Sequence, residues 1–305
     1  MANPRIRGAQ RLGALALIAL GVRSVLHSGD TLALKPVIWL WDWPVIAQGL
    51  AATFLAYVIL IWSTGEIIRG WEYKISVAST IRLWVRSNLA RYLPRWHGLP
   101  LRLVAIAEEE VFRAKLVVGS AVHPPLVWLG TGSVTAAVLL AFYRYGNTKI
   151  YLPILLLAAL AILVVTFGLA GTDLPRRIGQ SLGRPETVRP ADAEALGIGI
   201  FANFAAWVIA GYGLSLLGEG LLVGFHVDWM LVTGALAGAT VVGYLLPLFP
   251  TGLLLREAVL YALIKPQVSP GPALAIALSY RVVFTMFDIL FASFLLLRRP
   301  SRDDA

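Results

Sequence analysis

Cysteine is absent from the 305-residue chain, histidine occurs only four times, and charged residues make up 14% of the sequence. The first absence excludes disulfides, thiolate metal sites and cysteine nucleophiles. The histidines (His27, His97, His123, His226) are scattered without metal-ligand spacing, so neither a metal nor another cofactor is expected. So few charges exclude a soluble globule, in which about a quarter of residues are charged. What the chain has in abundance is apolar sequence, 58% of all residues. It reads as an all-α, polytopic integral membrane bundle with no aqueous enzymatic domain left over. Acidic residues are also scarce, 17 against 26 Lys and Arg, for a formal charge of +9. That excess would suggest nucleic acid in a soluble protein. Here the basic residues sit in loops flanking apolar runs, where they set orientation and attract anionic headgroups, so no nucleic-acid partner is expected.

Along the chain, Arg5, Arg7 and Arg11 precede an apolar run that resumes after Arg23 and ends near Trp39, read as a retained first span. Pro44 to Thr64 is the second. Ile75 to Leu93 is a basic amphipathic stretch in which Ile81, Trp84, Val85 and Leu89 share one helical face and Arg82 and Arg86 another, as in an interfacial helix. Leu116 to Tyr143, with His123-Pro-Pro125 as a kink, and Ile150 to Ala170 are the third and fourth. After the hydrophilic linker come Leu196 to Leu217, Trp229 to Phe249, a short Leu253 to Ile264, and Pro272 to Leu297. This makes six full spans plus re-entrant or broken helices, about eight membrane segments. The halves are 1–170 and 196–305, joined by 171–195. Aromatic residues at run ends (Trp39, Trp41, Trp43, Tyr143, Tyr145, Tyr151, Trp229) fit interfacial belts. Lys and Arg concentrate in the N-terminus, in Gly65 to Arg102, in the linker and in Arg298, Arg299 and Arg302, which predicts cytoplasmic termini and a prokaryotic inner-membrane location.

The stretch that stands out is Leu248-Phe-Pro-Thr-Gly-Leu-Leu-Leu-Arg-Glu257. It carries a helix breaker and a charge pair inside apolar sequence, and an ionisable group at the bilayer centre costs about 2.5–3.5 kcal/mol on insertion scales. The segment is expected to turn at Pro250 and Gly252 and to face an internal cavity. The first half has a comparable break, Tyr92-Leu-Pro94 with Gly98, and matched breaks in two halves predict an inverted repeat around a transport site.

At these residues the chain resembles the flippase-like family typified by the transmembrane region of lysylphosphatidylglycerol synthases. The matching elements are Ala90-Arg-Tyr-Leu-Pro94, Pro250-Thr-Gly-Leu-Leu-Leu-Arg-Glu257 and Arg281, with Thr251, Leu254 and Arg95 where the family usually has glycine. The resemblance implies a stand-alone member without the soluble aminoacyl-transfer domain.

Arg281, Thr285 and Asp288 recur on one face of the last span. Arg256 adds a second cation, and two guanidiniums can grip a phosphate while Glu257 and Asp288 hold them in its absence. Tyr92 and the Glu109–Arg113 pair at i,i+4 complete the candidate substrate-binding set, and Pro94, Gly98, Pro250 and Gly252 are the candidate turns. No base–hydroxyl pair is recognisable, so the leading expectation is a non-enzymatic translocator of an anionic phospholipid or lipid-linked headgroup. A transferase or accessory subunit in polyprenyl-phosphate glycan or lipid synthesis is the alternative, with Glu108 to Glu110 as its only candidate carboxylates. The partners that fit are membrane lipid, a second copy of the chain, or a lipid-modifying enzyme.

Overall fold

A computed structural model describes residues 37–71, 75–89, 123–143, 156, 192–245 and 255–297. Among these residues the chain forms seven helices: α1 (Trp43–Gly70), α2 (Val77–Leu89), α3 (His123–Phe142), α4 (Ala193–Leu221), α5 (Trp229–Leu245), α6 (Leu255–Ile264) and α7 (Pro270–Leu297). Four of them, α1, α3, α4 and α7, are long and apolar enough to cross a membrane. The expected first span up to residue 36, the fourth span apart from a helical Leu156, and both proline–glycine breaks lie outside the described residues; the expected end of the first span, Val37 to Trp39, is not helical, and Trp39 instead forms an antiparallel bridge with Leu222.

Helices α1 and α4 run antiparallel along their whole length. A Cβ placed on Gly49 would meet Leu217 Cγ at 2.8 Å, and one on Gly199 would meet Ile67 Cγ1 at 2.6 Å, so only glycine allows this approach. In the middle of the seam Thr53 lies against Gly213, and Asn203 Nδ2 donates to Ser63 Oγ (2.5 Å). Each helix start is tied to the other's end: Asp42 N–H donates to the Gly220 carbonyl (2.8 Å) and Asp192 N–H to the Gly70 carbonyl (2.7 Å). Asp42 and Asp192 are also the N-caps, their side chains accepting from Val45 N and Glu194 N. These caps explain why both helices outrun the apolar runs that announced them, α4 starting at Ala193 rather than Leu196 and α1 ending at Gly70 rather than Thr64.

The other helices flank this pair. Helix α5 packs on α3 and α4, and every residue from Leu231 to Val241 is buried. A helix that is apolar all round belongs in the interior, which suits its shorter length. Helix α2 packs on α1 and α7 and buries Thr80, Leu83 and Val85, with Ile81, Arg82 and Trp84 half-buried. Val85 and Trp84 of the expected face thus turn inward, Trp84 against Tyr57, and Thr80 and Leu83 join them. Helix α6 folds back against α5: a Cβ on Gly243 would lie 3.0 Å from Arg256 Cβ. In one unbroken helix these residues would be about 20 Å apart, so α5 and α6 form a hairpin.

At the Asp42 end, Trp39, Trp41 and Trp43 stack with centroids 5.5 and 5.6 Å apart and stay exposed. Trp41 holds φ at 57°, uncommon for a residue with a Cβ. This ladder fits the aromatic belt expected there.

Candidate functional site

The first turn of α6 presents Arg256 and Glu257, and α7 presents Arg281 opposite them. Glu257 Oε1 accepts from Arg281 Nη1 at 3.0 Å and from Arg256 Nη2 at 3.3 Å. One carboxylate oxygen thus holds two guanidiniums. The other, Oε2, is buried with no hydrogen-bond partner among the described residues. Position in the first turn of α6 adds the favourable end of the helix dipole to the two cations. The guanidinium of Arg256 also lies over the Tyr280 ring, 4.8 Å from its centroid, a cation–π interaction that fixes its plane. Side-chain exposure is 18% for Arg256 and 26% for Arg281 but 8% for Glu257. The cations are therefore the accessible part of the cluster and the carboxylate its buried base.

Asp288 and Thr285 sit elsewhere on α7. Seven residues of helix carry Asp288 about 10 Å along the axis from Arg281. Asp288, itself buried, accepts the Tyr57 hydroxyl of α1 at 2.5 Å. Tyr57 is packed by Trp84, Phe284, Phe287 and Phe291, with centroids 5.3 to 6.0 Å away. Glu257 thus bonds both arginines, and Asp288 bonds Tyr57 across the α1–α7 interface. Thr285 is half-buried on the same helix. Tyr92, Glu109, Arg113, Pro94, Gly98, Pro250 and Gly252 lie outside the described residues.

Three contributors escaped the sequence reading. Tyr57 is one aromatic residue among many in an apolar run, and nothing local marks it. Tyr280 directly precedes Arg281, yet the ring serves the other arginine. Gly243 admits Arg256 against α5, a role visible only once the hairpin is closed. A buried His123 whose Nδ1 accepts from Trp71 Nε1 (2.9 Å) joins α3 to the end of α1, where the sequence offered only a kink.

Tyr57→Phe removes a buried donor to a carboxylate, a loss of about 1–3 kcal/mol. The melting temperature in detergent is expected to fall for this variant and to stay put for Tyr212→Phe, whose ring is exposed. Equal melting curves would show that the Tyr57–Asp288 bond contributes nothing.

A search with family models and a search of curated proteins both find no match to this chain. The site must be read from its own chemistry.

Proposed function

We propose that the chain is a membrane translocator of anionic lipid, and that Arg256 and Arg281 bind the phosphate of its headgroup. The observation that carries this reading is the pair of partly exposed guanidiniums, from two different elements, resting on one oxygen of a buried glutamate. In apolar surroundings such a cluster is costly to build, and ionisable groups at membrane depth are functional by default. An arriving phosphate exchanges with Glu257 Oε1 for the same N–H donors, bidentately where the fork geometry allows. The resemblance of the Pro250 to Glu257 stretch and Arg281 to the flippase-like family supports the same substrate class.

Alternating access needs two halves that can rock, and an inverted repeat supplies them. Three observations support one here. Asp42, Gly49, Phe54, Ala56, Val58 and Gly70 of α1 recur, at one constant spacing, as Asp192, Gly199, Phe204, Ala206, Val208 and Gly220 of α4. Pairings between the helices recur with them: Gly49–Leu217 answers Gly199–Ile67, and Asp42–Gly220 answers Asp192–Gly70. Helices α3 and α7 follow the same rule. Phe284 and Asp288 of α7 meet Tyr57 as Trp128 and Gly132 of α3 meet Trp207. On this reading the halves 1–170 and 196–305 are inverted, and α3 and α7 each pack on the seam helix of the other half.

Reconstitution tests the function: vesicles carrying the protein should move headgroup-labelled phosphatidylglycerol between leaflets faster than protein-free vesicles. An unchanged rate overturns the proposal.

By the positive-inside rule the basic linker favours an orientation with the Asp192 end of the seam in the cytoplasm of a prokaryotic cell and the Asp42 end, with its tryptophans, outside. In this cysteine-free chain, His226→Cys should label from outside intact cells with an impermeant maleimide, and Gly183→Cys only after permeabilisation. The reverse pattern would refute the orientation.

A further inference from the structure

We propose that each lipid anion bound at Arg256 and Arg281 brings one proton onto Glu257, so that lipid and proton move together. This deepens the anion-site reading above and rests on it.

The inference starts from the accounting of donors. Before the anion arrives, Glu257 Oε1 takes one N–H from each arginine, and Oε2, equally buried, takes none among the described residues. The carboxylate stays ionised on the strength of those two cations. The backbone N–H of Glu257 itself also bears on it. Among the described residues, α7 contributes Arg281 and Tyr280, and the Tyr280 ring is engaged beneath Arg256. The approach from α5 is at Gly243, which carries no charge. On α6 itself Lys265 is drawn toward the Tyr261 ring, 5.7 Å from its centroid.

A phosphodiester that takes the arginine donors leaves a second anion beside it, buried and stripped of its two arginine hydrogen bonds. Like charges sharing a water-poor site do not both stay ionised, and the carboxylate is the one that can accept a proton. One proton from water adds to a Glu257 oxygen, and no covalent bond breaks. The carboxyl then becomes a donor where it was an unmatched acceptor, able to bond the phosphate oxygen it faces. The net charge of the site stays at plus one: two cations and one carboxylate before, two cations, one phosphodiester and a neutral carboxyl after. When the lipid leaves on the other side, the arginines return to Glu257 and expel the proton there. Lipid anion and proton therefore cross as a neutral pair.

The test uses the purified full-length protein in detergent and dihexanoyl phosphatidylglycerol, a phosphodiester with one charge at every working pH. Uptake of close to one proton per lipid bound is expected, read by an indicator dye in weak buffer. Affinity should fall as pH rises, by up to about tenfold per pH unit, since a proton is bound with the lipid. Glu257→Gln should bind with no proton uptake and a flat pH profile. Wild-type binding without uptake and with a flat profile overturns the coupling and leaves the anion site standing. Uptake that persists in Glu257→Gln overturns the assignment to this residue. No binding by wild type, or undiminished binding by the Arg256→Gln and Arg281→Gln double variant, defeats the anion site itself and the coupling with it. Should Glu257→Gln fail to fold, the wild-type measurement still decides the coupling, and Glu257→Ala takes its place for the assignment to this residue.

Discussion

Arg281→Gln should reduce movement of headgroup-labelled phosphatidylglycerol by about 100-fold in reconstituted vesicles, the equivalent of losing a charge-assisted bond of about 3 kcal/mol. Folding should survive, because Glu257 keeps Arg256 as a partner at 3.3 Å when Arg281 is gone. Arg281→Lys should restore only part of the rate, since a point charge replaces a planar fork. Arg256→Gln should behave in the same way, and it also takes the cation away from the face of Tyr280. A structural ion cluster would behave differently. Removing charge on both sides, Arg256→Gln with Glu257→Gln, would then recover stability and transport together, and full flipping by that double variant would sink the phosphate-binding role.

The second large effect is on assembly rather than transport. A Cβ on Gly211 of α4 would overlap Thr233 of α5 at its Cα as well as its hydroxyl. Backbone cannot step aside as a flexible side chain can, and α5 is buried on every side around Thr233. Gly211→Val should therefore force α4 and α5 apart, at a cost of about 3 kcal/mol or more. The expected result is a sharp drop in the monodisperse fraction on size exclusion and in melting temperature. Gly197→Val, at a position with nothing within 4 Å, should be close to neutral on both. Indistinguishable behaviour of the two variants would mean that α4 and α5 do not meet as described.

What could be read from the sequence was whatever depends on local chemistry. Spans announce themselves by hydropathy because lipid accepts only backbone that bonds itself, and α1, α3, α4 and α7 were each anticipated within a few residues where described. Arg256, Glu257 and Arg281 stood out because ionisable groups are conspicuous in apolar surroundings. The way they pair was less accessible. Sharing a helical face made Asp288 look like the partner of Arg281, and nothing in that spacing shows Glu257 reaching across from α6. Tyr57 and Asp288 are 231 residues apart in the chain, and no spacing rule joins them. The α1–α4 seam was illegible for the same reason. A glycine such as Gly49 shows its purpose only against the residue it admits, and the backbone bonds closing the two ends leave no trace in side-chain pattern.

Those end bonds also bear on how the molecule is made. When α1 leaves the ribosome, the N–H of Asp42 and the carbonyl of Gly70 have no mates, since both belong to α4, which has yet to be synthesised. Its small-residue face waits as well, and Tyr57 waits longer still, for an aspartate on the last helix. Insertion of α1 and the closing of its main seam are thus separate events, with a long interval in which α1 has α2 and α3 beside it but not α4. A nascent chain arrested before α4 should be open to intramembrane proteolysis along a surface that the finished protein hides, so quality control has a natural point of entry, which closes when translation ends.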